Sequence, residues 1–248
     1  MNLVTFGLIL ICCHVWAIEI DDNFSAIWLN TRKTNFENFF EKLKSSLQNG
    51  TSGLEICGIP VSDPFIVNRL PLKYNLSTPV GDINIEGFLQ NLNMSGLASY
   101  IVNSAKIKLI GMKANIDINW PSITVSNNYS LKGNALNYDV YGNGDIDGIV
   151  HNFKTIIDIG FKMIGRYIQV QTIATKIFLE GLDFNVTGIY NNEVISETIS
   201  KTISNVMPKL IAANQKTIEY VINNSATQIL NEYLSTITLM DIWKELNV

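Results

Sequence analysis

Between Val194 and Leu234, apolar residues recur at helical spacing for about 40 residues, a rod of roughly 60 Å if it is one helix. Ile195, Ile199, Ile203, Val206, Leu210, Ala213 and Val221 form one row, and Met207, Ile211, Ile218 and Ile222 form a second beside it. A helix apolar over that much of its girth needs cover on more than one side. No other helical stretch in the chain approaches its length, and what precedes it reads as strands. A curved antiparallel sheet is therefore the expected cover, and such a sheet leaves a lengthwise apolar gap. Asn191-Asn192-Glu193 is expected to open the helix, and Pro208 is expected to bend it or to start a new segment near Pro208–Lys209.

The strands are read from alternation. Ile83, Ile85, Gly87 and Leu89 alternate with Asp82, Asn84, Glu86 and Phe88; Met112, Ala114, Ile116, Ile118 and Trp120 alternate with Lys113, Asn115, Asp117 and Asn119. The pattern continues through Ile123 and Val125, then Leu136, Tyr138 and Val140, with a turn or bend expected at Tyr141-Gly142-Asn143-Gly144. Three further runs follow, Ile146 to Ile159, Met163 to Ile173 and Lys176 to Val186. Nothing between the runs is long enough for a crossover helix, so the sheet is expected to be mostly an antiparallel meander. Prolines at 60, 64 and 71 restrict Leu54–Leu72 to an extended connector or an edge strand. Thr34-Asn35-Phe36-Glu37 has capping-box form and opens a short amphipathic helix with Phe36, Phe40, Leu43 and Leu47 on one face, ended by Asn49-Gly50. Trp28 before it, and the tail from Ser235 with Leu239, Ile242, Trp243 and Leu246, are expected to pack over the ends of the core.

Residues 1–17, MNLVTFGLILICCHVWA, are a short apolar run ending in a small residue, with Asp21 and Asp22 close behind; this is the pattern of a removed signal peptide rather than a membrane span. Residues 18–248 are then expected to form one secreted domain and a monomer. Sequons begin at Asn23, Asn49, Asn75, Asn93, Asn128, Asn185 and Asn223, and a few of them are expected to carry glycans. A glycan at Asn223 would turn one side of the long helix to solvent or mark a break at Asn223-Asn224-Ser225. Cys12 and Cys13 leave with the signal, so Cys57 stands alone and reads as a buried, inert thiol.

Several chemistries are excluded. A net charge of −4 without a basic stripe argues against nucleic acid. His151 is the one histidine after residue 17; there is no nucleophile elbow, phosphate loop or metal-ligand spacing, so no enzyme, cofactor or metal is expected. Asp145 and Asp147 in GNGDIDG lack the later ligands of a calcium loop and read as a solvated strand face. What remains is apolar. Phe36, Phe40, Leu43 and Phe65, with Tyr138, Phe161 and Phe178 from strands and Leu210, Ile211 and Val221 from the long helix, are the candidate walls of a ligand cavity, and Tyr138 could bond a polar ligand end.

The order of NFENFFEKLKSSL, GIPVSDPFIVNRLPL, YGNGDIDG and LMDIWKEL resembles the insect takeout and juvenile-hormone-binding protein family over nearly the whole mature chain. The resemblance implies an α+β fold, a long C-terminal helix wrapped by a highly curved antiparallel β-sheet, enclosing a tunnel for a terpenoid hormone, fatty acid or other lipid. Juvenile hormone itself is not implied, because members differ in what they carry. The chain departs from the family in one respect: the family usually has two cysteines bracketing the start of the first helix, and Ile18–Leu47 has none. The expected function is a carrier of a small hydrophobic ligand, with transient membrane or receptor contact. The alternative is a secreted interaction protein with a filled core acting on a receptor or protein partner; a lipid-ester hydrolase using His151 and a vesicle-contacting lipid-transfer protein are the further rivals.

Overall fold

The computed structural model describes residues 63–78, 81–108, 111–135 and 138–235, with Glu37, Phe40, Lys44 and Leu47. The expectations for the signal segment, Asn23, Trp28, Phe36, Leu43, Asn49, Cys57 and the tail beyond Ser235 lie outside the described residues. Among the described residues there are six strands: β1 (Phe65–Thr78), β2 (Gly81–Ser95), β3 (Ile101–Lys108), β4 (Lys113–Ala135), β5 (Tyr138–Ile164) and β6 (Tyr167–Val186). They form one antiparallel sheet in the order β1-β2-β4-β5-β6, with β3 paired to β4 beside β2. The sheet is open: β1 and β6 end the path and do not pair with each other. Pro71 lies in β1, on the edge, where a missing N–H disturbs one side only.

Two turns differ from the sequence reading. Tyr141–Gly144 is not a turn but the interior of β5, and the β4–β5 connection falls between Ala135 and Tyr138, which pair directly. The glycines there serve packing. A side chain on Gly142 would meet the Tyr129 hydroxyl at 2.6 Å, and one on Gly144 would meet the Thr187 carbonyl. The three later runs are two strands, since Ile146–Ile159 belongs to the 27-residue β5, and β6 then runs unbroken from Tyr167 to Val186.

The inward-facing set changes phase along the strands. In β4 it passes from Ala114, Ile116, Ile118 and Trp120 to Ile123, Val125, Asn127 and Tyr129; in β5 it passes from Gly144, Ile146, Gly148 and Val150 to Phe153, Thr155, Ile157 and Ile159. Both changes fall on the row where Pro121 faces Asn152, whose φ is +46°. The two strands slip together, so pairing survives while the sheet is creased. In β2 a one-residue bulge between Gln90 and Asn93 moves the inward set to Leu92 and Met94.

The long helix is two helices, α1 (Glu193–Ala213) and α2 (Gln215–Leu234). Asn192 caps α1, its Oδ1 accepting from the Ile195 N–H at 3.1 Å. The interruption is at Asn214, not Pro208, which lies inside α1. The Asn214 N–H and side-chain amide both donate to the Leu210 carbonyl, which closes α1. α2 passes through Asn223–Ser225 without a break.

Both helices run along β6, and polar side chains join them to its outer edge. The N–H groups of Ile189, Val186 and Phe184 donate to the hydroxyls of Ser196 (3.1 Å), Ser200 (2.9 Å) and Ser204 (2.9 Å). Farther down, the Ile177 and Val170 N–H groups donate to Gln215 Oε1 and Asn231 Oδ1. Donors that would otherwise be left open on the last strand are met by helix side chains, so the edge is covered. α2 turns Ile222, Ala226, Leu230 and Leu234 inward, into one buried cluster with Ala114, Ile116 and Ile118 of β4, Ile157 and Ile159 of β5 and Ile168, Val170 and Ile177 of β6. Among the described residues no helix is long and apolar enough to cross a membrane.

Candidate functional site

The inner face is organised around an aromatic group. Trp120 lies between Tyr100 and Phe153, each ring pair 5.7 Å apart. Its indole N–H donates to the Leu97 carbonyl at 2.9 Å, which holds the segment between β2 and β3 against β4. Tyr100 donates its hydroxyl to the Phe40 carbonyl, and Phe40 is fully buried. Leu47 is buried too, its carbonyl accepting from the Asp63 N–H at 3.0 Å. Asp63 in turn accepts from the N–H groups of Gly96 and Ala98, each at 2.9 Å. The early helical residues are thus fastened over the same aromatic group that β4 and β5 supply.

The remaining candidates divide. Ile211 and Phe161 are half-buried against the main core, and Phe65 packs on a smaller cluster of Met94 and Leu97. Four candidates are corrected. Tyr138 is 76% exposed at the start of β5, so it is not placed to bond a ligand inside the fold. Phe178 is 47% exposed because β6 turns Ile177 and Leu179 inward on either side of it. Leu210 (48%) and Val221 (43%) belong to the solvent side of the helices, while the second apolar row, with Ile211, Ile218 and Ile222, faces the core.

Two features were missed by the sequence reading. The first is the aromatic group itself, of which only Phe40 was a candidate. Trp120 was read as the end of an apolar strand face and Tyr100 was not singled out. The second is a set of buried polar atoms with no hydrogen-bond partner among the described residues, including Thr175 Oγ1, Gln169 Oε1 and Asn223 Oδ1. Thr175 is almost fully buried, on the inward row of β6 with Ile173 and Ile177. A hydroxyl held there without a partner is a place where a polar atom of another molecule would be stabilised.

The His151 ring pairs with Asp183 at 2.8 Å on the partly exposed side of the sheet, with no nucleophile among its hydrogen-bond partners. Among the described residues no group of three or more His, Cys, Asp or Glu side chains could hold a metal ion. Asp145 and Asp147 are exposed on the same side of β5, as expected of a solvated face, and Asp145 accepts from the Asn128 amide. Of the sequons, Asn75, Asn93, Asn128 and Asn185 are exposed on strands, and Asn223 is half-buried on α2.

An open, curved antiparallel sheet with an aromatic inner face, a covered last edge and a long helical pair laid along it defines an α+β binding fold. The chain belongs to the Haemolymph juvenile hormone binding protein (JHBP) family, whose model matches residues 8–244. Among solved structures it is similar to Takeout 1 of Epiphyas postvittana, with a TM-score of 0.51 and 15% identity over 82% of this chain and 93% of that one. A lipopolysaccharide binding protein is more distantly similar, with a TM-score of 0.37 and 16% identity over 83% of this chain and 40% of that one. At these identities the likeness concerns the fold. No curated protein matches the chain in sequence.

Proposed function

We propose that the protein is a secreted carrier that binds a small hydrophobic ligand, a terpenoid, fatty acid or other lipid, between the early helix, the pair α1 and α2 and the inner sheet face, without chemistry. The observation that carries this reading is the buried Thr175 hydroxyl, which has no hydrogen-bond partner among the described residues, on an otherwise apolar inner row. A buried hydroxyl left without a partner costs stability until a polar atom meets it. A ligand burying roughly 400 Å² of apolar surface would gain on the order of 10 kcal/mol before ordering costs, enough for carriage. Family membership supports the same class. Residues 1–17 are proposed as the removed signal, and glycans are proposed at Asn75, Asn93 and Asn185, whose side chains are exposed.

The test is native mass spectrometry of the secreted protein before and after mild organic extraction, followed by titration with a panel of terpenoids and fatty acids. An adduct lost on extraction and regained from the panel is expected. Ile211→Trp should weaken uptake of every panel member, whereas Thr175→Val should weaken only ligands with a polar end, by about tenfold. A protein that neither releases nor takes up any panel member would turn the reading to the interaction protein.

A further inference from the structure

Elsewhere on its outer face the sheet pairs lysines with carboxylates: Lys132 with Glu86 at 3.2 Å and Lys154 with Asp117 at 3.0 Å. One end departs from this. Two cross-strand rows run there from β3 to β6, Lys106–Asn115–Asp158–Ala174 and Lys108–Lys113–Gly160–Thr172, and they line an outward concavity of about 460 Å³. Lys108 and Lys113 are direct cross-strand partners, an arrangement that repels. Neither they nor Lys106 forms an ion pair among the described residues. Among the described residues one carboxylate lines the concavity, that of Asp158, which accepts from the Asn115 amide at 2.8 Å. In a chain of net charge −4 this is a local concentration of the opposite sign.

The β5–β6 hairpin turns at the same end, its base fastened to the start of β4 by the Phe161 N–H, which donates to the Met112 carbonyl at 2.8 Å. At its tip Met163 is 43% and Ile164 52% exposed, between the exposed Lys162 and Arg166. The order of residues in Lys162-Met163-Ile164-Gly165 is matched in sequence by Lys108-Leu109-Ile110-Gly111.

We propose that this end of the molecule docks on an anionic lipid bilayer, with Lys106, Lys108, Lys113, Lys162 and Arg166 against the headgroups and Met163 and Ile164 in the acyl boundary. A soluble anion would use the lysines and leave the apolar tip unexplained, and an apolar partner would leave the unpaired cations unexplained. A membrane interface satisfies both, and long basic side chains place charge at the headgroups while their stems cover apolar surface. The inference does not depend on the carrier reading.

The experiment is co-sedimentation of the full chain with vesicles of phosphatidylcholine alone or of phosphatidylcholine mixed with phosphatidylserine. Binding is expected to the mixed vesicles only and to weaken with salt. Lys106→Gln/Lys108→Gln/Lys113→Gln should weaken it on the order of 100-fold, at about fivefold per cation. Met163→Ser/Ile164→Ser should weaken it roughly tenfold, each variant being checked by an unchanged thermal transition. Ile164→Trp gives an independent readout, since the emission it adds to the wild-type spectrum should shift to the blue on mixed vesicles. No binding, equal binding to both vesicles, or an unshifted added emission from the vesicle-bound Ile164→Trp protein would overturn the proposal. Binding lost with the lysines but indifferent to the apolar pair would overturn it too, leaving an anion site in place of a bilayer contact.

Discussion

Tyr129 shows what one buried polar side chain contributes. Its ring is almost fully buried over Gly142, and its hydroxyl donates to the Thr187 carbonyl at 2.7 Å, joining β4 to the segment that leads into α1. Burial first, and the nearby Asp145 carboxylate second, raise its pKa above the ordinary 10.0. A group whose folded-state value is raised contributes stability that is fully present below the unfolded value and is lost as pH rises through the folded one. The window therefore lies above pH 10. Tyr129→Phe should cost roughly 1 kcal/mol at neutral pH, because the Thr187 carbonyl loses its partner. The variant should also lose less stability than the wild type above pH 10. Urea unfolding of both proteins at neutral and alkaline pH measures this, and parallel alkaline losses would show that Tyr129 is not the group responsible.

At the scale of elements, the seam between α1 and β6 carries the most testable energetics. Ser196, Ser200 and Ser204 recur every four residues and so share one helix face, where Ser200 and Ser204 accept from N–H groups of β6 and Ser196 from that of Ile189 just beyond it. Ser200→Ala leaves the buried Val186 N–H without its acceptor and should destabilise by about 1–3 kcal/mol in denaturant unfolding. Thr202→Ala should change little, since the exposed Thr202 hydroxyl only bonds back to the Thr198 carbonyl of its own helix. The helix and its Asn192 cap were legible in the sequence because period and cap chemistry are local. The seam was not, because serines at helical spacing read as a solvent face. With apolar rows on two sides, periodicity could not choose between them, so Leu210 and Val221 were placed inward and the Ile211 row beside them proved to be the core face. Gly142 and Gly144 read as a turn for a similar reason: glycine marks both turns and close approaches, and only Tyr129 and Thr187 across the sheet tell which. The crease was present in the sequence as a change of phase between Trp120 and Ile123. That Asn152 would change phase on the same row depends on register, which alternation alone does not give.

At the scale of the molecule, the described residues are unevenly packed. The large core lies where β3, the first part of β4, the later part of β5 and the first part of β6 meet α2, whereas beside β1 and β2 the buried apolar cluster is Met94 and Leu97. Local opening should follow that division, because amide protection tracks the buried apolar contact that must be broken. In hydrogen exchange, residues 114–118 and 155–159 are expected to exchange only by global unfolding, and β1 with the adjoining half of β2 to exchange far sooner. A ligand held under the early helix adds a further consequence. At a hundredfold excess over its Kd it stabilises by about 2.7 kcal/mol, which for a domain of this size raises Tm by roughly 5–10 °C. If the site is the one proposed, the added protection should fall on the segments around Phe40, Tyr100 and Trp120, which are fastened to one another, and on α2 around Ile222. A rise in Tm whose protection falls instead on β1 and β2 would move the ligand to the loosely packed half, and the inner aromatic group would then be scaffold. No rise with any terpenoid or fatty acid that native mass spectrometry shows to be bound would mean that it binds the folded and unfolded chains alike, which a ligand enclosed by this sheet and helix could not do.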